Sequence, residues 1–195
     1  MRRPTPAEVD LDHALKAAQN GDQHGFAHLW RALQPAVLRY LRVVIGDHAE
    51  DAASETWLQV IRDLDHFRGD LPAFRGWLFR IARHRALDER RRHRPVPIPA
   101  EDADRAAPDA ATTALDAVST DWALRMIASL PSDQAEAVML RVVAGLDVAG
   151  TAHVLGKRTG AVRIATMRGL RRLAAHPQVR TRHEQHRLRE AAGEV

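Results

Sequence analysis

The sequence has no cysteine, no long apolar run and no signal-peptide core, and each absence excludes a class of protein. Without cysteine the chain can form no disulfides, thiolate metal sites or thiol nucleophile, which fits a reducing compartment. No stretch approaches the roughly 18 apolar residues of a membrane span, and the N-terminus places prolines and acids where a signal peptide needs an apolar centre. We therefore expect a soluble, cytoplasmic protein without membrane insertion.

Catalytic and metal-binding motifs are also missing. The chain has no G-x-S-x-G elbow, no Walker A loop and no convincing pair of carboxylates. His24 and His28 are four residues apart and could share a metal, but only Asp22 lies near them in the sequence as a third ligand. A surface or half-buried histidine pair is the favoured interpretation, so we predict no cofactor, no metal site and no enzymatic activity.

Strand patterns are absent, and what the sequence does contain is helical periodicity and arginine. Alanine, leucine and arginine dominate, which predicts an all-α fold. The net charge is only +4, but the isoelectric point is near 10.5, and guanidinium groups suit phosphate oxygens. We predict two small helical domains, at residues 8–94 and 118–176. A linker at 95–117 joins them, and a tail follows at 177–195. The linker is acidic and rich in proline and alanine, a composition that predicts flexibility.

The segment 73–94 combines an apolar stripe with a basic face on one predicted helix. Apolar residues recur at three- and four-residue spacing, which is typical of a helix with one buried side. These residues are Phe74, Trp77, Leu78, Ile81, Ala82 and Leu87. Eight arginines occupy the other positions and repel one another: Arg75, Arg80, Arg83, Arg85, Arg90, Arg91, Arg92 and Arg94. A polyanionic partner would explain why the chain tolerates this repulsion.

Three helices are predicted before this segment, at residues 8–20, 23–44 and 47–64. Pro35 should kink or break the second. The third should bury Ala53, Trp57, Val60, Ile61 and Leu64 and expose an acidic face. Residues 66–72 contain Gly69 and Pro72 and are predicted to form a short loop, in which Phe67 either fills the core or acts on a ligand.

The C-terminal half predicts a helix closed by Pro131, a helix capped by Ser132 with Val142 facing inward, and then a helix-turn-helix unit. Residues 148–155 and 159–174 form its helices, and 156–158 form its turn. Its predicted inner face is Leu146, Ala152, Val154, Leu155, Val162, Met167 and Leu170. Six basic residues and no acid lie between 156 and 172, which fits a DNA major groove. A helical hairpin with a solvated basic face is the alternative.

Two long segments resemble the extracytoplasmic-function (ECF) sigma factors of the sigma-70 family. EDAASETWLQVIRDLDHFRGDLPAFRGWLFRIARHRALDERRR is similar to their second region, and LPSDQAEAVMLRVVAGLDVAGTAHVLGKRTGAVRIATMRGLRRL to their fourth. Both occur in the expected order with a proline-rich linker between them. The resemblance implies a subunit that binds core RNA polymerase, recognises minus-35 and minus-10 promoter DNA, and holds the melted strand.

The resemblance also implies roles for individual residues. Residues that would bind core polymerase through the clamp helices of its largest subunit are Asp51, Ser54, Glu55 and Gln59. Residues that would bind minus-10 DNA are Phe67, Arg80, Arg83, His84 and Asp88. Residues that would bind minus-35 DNA are Lys157, Arg158, Arg163, Ile164, Met167 and Arg168. Further expected partners are the polymerase flap and an anti-sigma factor.

This sequence departs from the family pattern at three of the positions considered. Many relatives have asparagine where His84 stands, and Ile164 and Ala165 replace small polar and basic residues. The departure at His84 bears on which base is preferred in the minus-10 element. The departures at Ile164 and Ala165 predict either a different minus-35 sequence or weaker binding. The main rival function is a stand-alone helix-turn-helix regulator that binds duplex DNA without polymerase. A more remote rival is a metal enzyme built on His24 and His28.

Overall fold

The computed structural model describes residues 5–93 and 114–181, and every regular element in these two stretches is helical, which confirms the all-α fold class. The helices are α1 (Pro6–Gln19), α2 (Gln23–Ile45), α3 (Ala49–Asp63), α4 (Leu71–Arg92), α5 (Ala114–Ala128), α6 (Ser132–Val138), α7 (Val148–Leu155) and α8 (Thr159–Ala175). A 3-10 turn, Gly46–His48, precedes α3. A π-helical turn, Met139–Val143, continues α6.

Helix α2 runs through Pro35 without a break. Pro35 has no N–H to donate to the carbonyl four residues earlier, so one backbone bond of the helix is missing there. Its ring lies on the exposed side of the helix, where water can satisfy the carbonyl that is left free. The predicted break is therefore wrong.

The N-terminal region, α1 to α4, is built around the buried faces of α2, α3 and α4. The fully buried large side chains there include Leu29, Tyr40, Phe74, Leu78 and Phe79. Helix α3 buries Ala53, Trp57, Val60 and Leu64, as the sequence predicts, but Ile61 is 55% exposed. Ile61 lies about 100° around the helix from Val60, so it cannot share the narrow face that packs on α4.

The C-terminal region, α5 to α8, differs from prediction at two positions near α6. Pro131 is the N-cap of α6, and Ser132 is the first helical residue without a side-chain capping bond. Val142 lies in the π-helical turn and is 60% exposed. Each hydrogen-bonded turn of a π-helix contains one residue more than a turn of an α-helix. The extra residue rotates Val142 away from the helix face on which Val138 and Met139 are buried.

The helix-turn-helix unit forms as predicted, but α8 has a different inner face. Val162 is buried, whereas Met167 and Leu170 are each 44% exposed. Ala165 and Gly169 take the buried positions instead. A Cβ at Gly169 would lie 2.8 Å from Val138 Cγ2, so this glycine allows α8 to approach α6 closely. Small residues therefore form the α8 contact, and the larger ones face outward.

The two helical regions pack against each other in this structure. Helix α2 contacts α5, α6 and the π-helical turn, and α4 contacts α7. The predicted domain boundaries remain predictions. Residues 95–113 of the predicted linker and 182–195 of the predicted tail lie outside the described residues, as does Arg94. Among the described helices, none combines the length and apolarity that crossing a bilayer requires.

Candidate nucleic-acid and protein interfaces

The outward side of α3 carries a mixed polar and apolar stripe. Asp51, Ser54, Leu58 and Ile61 follow one another at three- and four-residue spacing, so they lie along one helix face, and all are exposed. Leu58 is 57% exposed. The predicted set contains Asp51 and Ser54 but not the two apolar residues. Ile61 was predicted to be buried, and its apolar side chain gave no sign in the sequence that it faces outward. We call these four residues the α3 stripe.

Glu55 and Gln59 lie beside the α3 stripe and contact the arginines of α4. Glu55 Oε2 is 3.8 Å from Arg85 Nε, and its Oε1 is 3.8 Å from Arg92 Nη1. Arg85 Nη2 donates a 2.7 Å hydrogen bond to Gln59 Oε1. Glu55 and Gln59 are half-buried as a result. Of the four residues predicted to bind polymerase, Asp51 and Ser54 are therefore the more accessible pair.

The loop before α4 fixes Phe67 against the aromatic start of that helix. The Phe67 ring stacks on Trp77 with centroids 5.1 Å apart and meets Phe74 edge-on at 5.6 Å. Its backbone carbonyl accepts a 2.8 Å hydrogen bond from Gln19 Nε2. Asp70 then caps α4 by accepting a 2.9 Å bond from the Ala73 N–H. The loop is thus tied at both ends, and the half-buried Phe67 ring remains accessible on one side.

Three of the predicted minus-10 residues share a face of α4 with Trp77. Trp77, Arg80, His84 and Asp88 recur at three- or four-residue spacing, and Phe67 lies on Trp77 at one end of the row. Arg80 and His84 are exposed, and Arg80 Nη1 is 3.3 Å from His153 Nε2 on α7. Asp88 is half-buried and lies 3.5 Å from Arg91 Nη1.

Arg83 lies about 60° around α4 from Arg80 and makes a contact that the sequence analysis did not anticipate. Its Nε donates a 2.8 Å hydrogen bond to Glu136 Oε2 on α6, and the Tyr40 hydroxyl donates a 3.2 Å bond to the same oxygen. We call these three residues the interregion cluster. It joins α2 and α4 of the N-terminal region to α6 of the C-terminal region.

The interregion cluster is withdrawn from water. The side chains of Arg83 and Glu136 are 21% and 12% exposed, and Tyr40 is fully buried. Burial raises the pKa of Tyr40 well above its ordinary value of 10.0, and the neighbouring Glu136 charge raises it further. The hydroxyl therefore stays protonated and keeps donating to Glu136.

Helix α8 separates a basic outer face from a small-residue inner face. All six residues predicted to contact minus-35 DNA are exposed: Lys157, Arg158, Arg163, Ile164, Met167 and Arg168. At 100° per residue the last four span an arc of about 140°, opposite Val162 and Ala165. Ala165 is 7% exposed and faces the core, so it cannot reach a DNA base.

The turn between α7 and α8 is defined by local chemistry. Asp147 caps α7 by accepting from the Gly150 N–H at 2.6 Å. Gly156 adopts the left-handed conformation, with φ of 63°, and closes α7. Lys157 Nζ lies 3.7 Å from the Asp133 carboxylate. The chain thereby turns at once into α8, which begins at Thr159.

His24 and His28 are both exposed on α2. Asp22, the nearest acid in sequence, caps α2 by accepting bonds from the backbone N–H groups of His24 and Gly25 at 3.1 and 3.2 Å. These two bonds, with the His24 bond the larger cause, lower the pKa of Asp22 below 3.8. Asp22 therefore has a structural role at this helix end.

Comparison with protein families gives two matches, one for each helical region. The family model for Sigma-70 region 2 matches residues 23–96, and the family model for Sigma-70, region 4 matches residues 120–173. The first spans α2 to α4, and the second spans most of α5 to α8.

Curated relatives match across both regions. The ECF RNA polymerase sigma factor SigD of Mycobacterium tuberculosis is 34% identical over 175 residues, covering 84% of this chain and 82% of that protein. The ECF RNA polymerase sigma factor ShbA of Streptomyces griseus is 33% identical, covering 81% and 90%. BldN of Streptomyces coelicolor, also an ECF RNA polymerase sigma factor, is 32% identical, covering 89% and 69%.

Two solved structures share the fold. CnrH, determined in complex with the cytosolic domain of CnrY, has a TM-score of 0.60 and 22% identity, covering 85% of this chain and 96% of that one. RpoE of Bartonella quintana, determined in complex with the anti-sigma factor NepR, has a TM-score of 0.56 and 23% identity, covering 76% and 93%. At these identities the likeness concerns the fold.

Proposed function

The chain belongs to the ECF sigma factors of the sigma-70 family, and from this membership we propose which of its surfaces meet polymerase and which meet the promoter. As such a factor it binds core RNA polymerase and directs promoter-specific transcription initiation. We infer that polymerase performs the chemistry and that this chain acts in the cytoplasm, where polymerase and promoter DNA are found. Membership in the family favours this function over a stand-alone regulator.

The proposal for minus-35 DNA rests on the two faces of α8, one basic and exposed and the other buried against α6. Arg163 and Arg168 project from a helix whose opposite side is locked onto α6, so both guanidinium groups can enter a groove while the helix stays attached. Arginine can bond guanine edges or phosphates there. Lys157 and Arg158, at the helix start, are suited to phosphate contacts. Ile164 and Met167 would supply apolar contacts between them.

The row along α4 carries the proposal for minus-10 DNA. A base flipped out of the duplex needs an aromatic surface and nearby polar groups. Phe67, supported from behind by Trp77 and Phe74, provides such a surface at one end of the row. Arg80, His84 and Asp88 extend from it along the same face. Arg83 belongs to this site only when it is released from Glu136.

The α3 stripe, with Glu55 and Gln59 beside it, is proposed to meet the clamp helices of the polymerase largest subunit. Its acids suit a basic groove, and its exposed leucine and isoleucine supply apolar area that no described residue of this chain covers. Polar specificity and apolar burial are thus available on one helix.

The contact between the two regions is proposed to weaken promoter binding by the free protein. In this arrangement Glu136 holds Arg83, so one cation proposed for minus-10 DNA is engaged by a protein carboxylate, while Arg80 lies 3.3 Å from His153 and stays exposed. Polymerase would separate the regions when it places them on different promoter elements. An anti-sigma factor, as found with RpoE of Bartonella quintana, is proposed as a partner that competes for the same surfaces.

Polymerase binding tests this assignment through charge reversal on α3. We expect replacement of Asp51 and Glu55 by arginine to reduce affinity for core polymerase by at least about tenfold, since like charges across an interface cost several kcal/mol. Co-purification and a binding titration with core polymerase measure the loss.

A matched control keeps the charge change and moves it elsewhere. Reversal of Asp10 on α1 and Asp121 on α5 changes the net charge equally, outside the α3 stripe. This variant should bind as the unaltered chain does. Undiminished binding of the Asp51 and Glu55 variant would remove α3 from the interface, while the family membership would stand.

A further inference from the structure

Two histidines and a glutamate meet where α4 ends beside the turn that leads into α3. His48 closes the 3-10 turn before α3, and Glu89 and His93 lie four residues apart at the end of α4. Their ligating atoms lie within 4.8 Å of one another. Within residues 5–93 and 114–181, this is the one group of three such side chains. It does not include the His24 and His28 pair.

The Nδ1 atoms of both histidines lie near the same oxygen of Glu89, Oε1. Glu89 Oε1 is 2.9 Å from His93 Nδ1 and 3.7 Å from His48 Nδ1. A tetrahedral zinc ion with bonds of about 2.0–2.1 Å keeps its donors about 3.3 Å apart, and the two distances bracket that value. Because the lone pair of an imidazole nitrogen lies in the ring plane, the two rings would rotate out of their stacked arrangement to bring all three donors onto one ion, with a fourth position left for water.

The rings of His48 and His93 lie face to face beside the Glu89 carboxylate. The His48 and His93 rings stack with centroids 4.1 Å apart and planes inclined by 23°. Both rings also turn their Nδ1 edge towards Glu89.

The surroundings of Glu89 orient its carboxylate. Its side chain is only 14% exposed, and its second oxygen, Oε2, lies 3.5 Å from Arg92 Nη1. Arg92 in turn lies 3.8 Å from Glu55 on α3. The contact with Arg92 orients Oε2, and Oε1 is then free to face the proposed metal position. Partners outside the ligand set orient ligating carboxylates in the same way in established metal sites.

We propose that His48, Glu89 and His93 form a binding site for a borderline divalent metal ion, with Zn²⁺ as the ion that fits the donor set. Two imidazoles and one carboxylate favour zinc over the oxygen-preferring ions Mg²⁺ and Ca²⁺. The ion ties the last turn of α4 to the turn that starts α3. It therefore stabilises the corner of the N-terminal region that lies beside Glu55.

Zinc titration of the full chain without an affinity tag tests the site. With a chromophoric zinc chelator as competitor, we expect one Zn²⁺ per chain and no displacement by Mg²⁺. His48→Ala, Glu89→Gln and His93→Ala should each weaken binding at least about tenfold, the smallest loss usual even for outer-shell changes. Zn²⁺ should also raise the Tm of the unaltered chain and leave that of His93→Ala unchanged.

The chain supplies its own control. His24→Ala with His28→Ala removes another pair at the same four-residue spacing and should leave zinc affinity and stoichiometry unchanged. Circular dichroism checks that all variants are folded, which matters most for Glu89→Gln because the Glu89 side chain is only 14% exposed. Zinc binding that survives His48→Ala and His93→Ala, or that falls equally in the His24 and His28 variant, would overturn the site. So would the absence of zinc binding at micromolar concentration. None of these outcomes bears on polymerase binding.

Discussion

Tyr40 is the chain's single tyrosine, and its hydroxyl lies where the two helical regions meet. Because the hydroxyl is buried and donates to Glu136, ionising it would place a phenolate next to a carboxylate without water. The ionisation of the Tyr40 hydroxyl therefore reports whether the two regions are in contact. No other tyrosine in the chain contributes to the tyrosinate signal.

We predict that stability falls at high pH through this group. Below pH 10.0 both folded and unfolded chains keep the Tyr40 proton, so its contribution is fully present. As the pH rises further, the unfolded chain loses the proton and the folded chain keeps it, so the free energy of unfolding decreases towards the folded-state pKa. Urea unfolding across this range should show a shallower decline for Tyr40→Phe.

Tyrosinate absorbance gives a second view of the same group. In the intact chain the absorbance should appear well above pH 10.0, and in Glu136→Ala, which breaks the interregion cluster, it should appear at lower pH. Ordinary titration in the unaltered chain would show that Tyr40 is in water and that the regions are apart.

Phe67 illustrates how the same side chain can pack and still be available to a ligand. One side of its ring lies on Trp77 and Phe74, so part of its area is already buried, and the remainder faces outward. The sequence placed Phe67 in a loop and left open whether it fills the core or acts on a base. The packing fixes its direction, while the role remains a prediction.

Replacing Phe67 with alanine should impair open-complex formation more than binding to closed duplex. Stacking of one base on an aromatic ring contributes about 1–3 kcal/mol, so the loss should be roughly fivefold to more than a hundredfold. Permanganate footprinting measures strand opening, and a mobility-shift titration measures duplex binding of the holoenzyme.

Phe26→Ala is the control for lost packing. Phe26 is also half-buried and meets Trp57 edge-on at 5.9 Å, without a ring contact to Phe67, Phe74 or Trp77. Its loss should lower stability without a selective opening defect. Equal losses of binding and opening in the Phe67 variant would count against base capture.

At the scale of the element, helical periodicity predicted where most helices lie but not always which side they bury. On α3, Ile61 was assigned inward because isoleucine is apolar, yet Val60 and Leu64 already fill the face against α4. On α8, Met167 and Leu170 were assigned inward for the same reason. The close approach to α6 instead selects Ala165 and Gly169. On α8, residue size at the helix crossing decided which side is buried, and periodicity does not report residue size.

The exposed face of α8 supports a prediction for minus-35 recognition. Replacing Arg163 and Arg168 with alanine should abolish the dependence of transcription on the minus-35 sequence, since a good bidentate arginine contact contributes about 1–3 kcal/mol of discrimination. Each lost phosphate contact should also reduce the salt slope of DNA binding by about 0.9. Footprints on promoters with intact and scrambled minus-35 elements measure the effect.

Arg31 and Arg125 provide the matched control, because both are exposed and belong to α2 and α5 rather than to the turn or α8. Their replacement by alanine removes the same charge and should preserve minus-35 dependence. A promoter preference that survives in the Arg163 and Arg168 variant would show that α8 does not read this element.

At the scale of the whole molecule, the all-α class and the order of the two regions could be predicted, but the contact between them could not. Tyr40 and Glu136 are 96 residues apart, and Arg83 and Glu136 are 53 apart. No local pattern marks such partners, because each residue looks like an ordinary member of its own helix. The group of His48, Glu89 and His93 has no complete local pattern either, since His48 lies more than 40 residues before Glu89. Tertiary packing alone brings these groups together.

The arrangement of the whole chain leads to one consequence for function. With Arg83 held by Glu136 and Arg80 lying against His153, the free protein presents only part of its cationic surface. Specific promoter recognition should then require core polymerase, which distinguishes a sigma factor from a stand-alone regulator.

Run-off transcription from a random promoter library, with and without core polymerase, tests the central claim most directly. The account predicts that the chain and core polymerase together yield transcripts from templates sharing a minus-35 and a minus-10 element, while the chain alone binds those duplexes weakly. Tight, sequence-specific duplex binding by the chain alone, with no new transcripts when core polymerase is added, would contradict it.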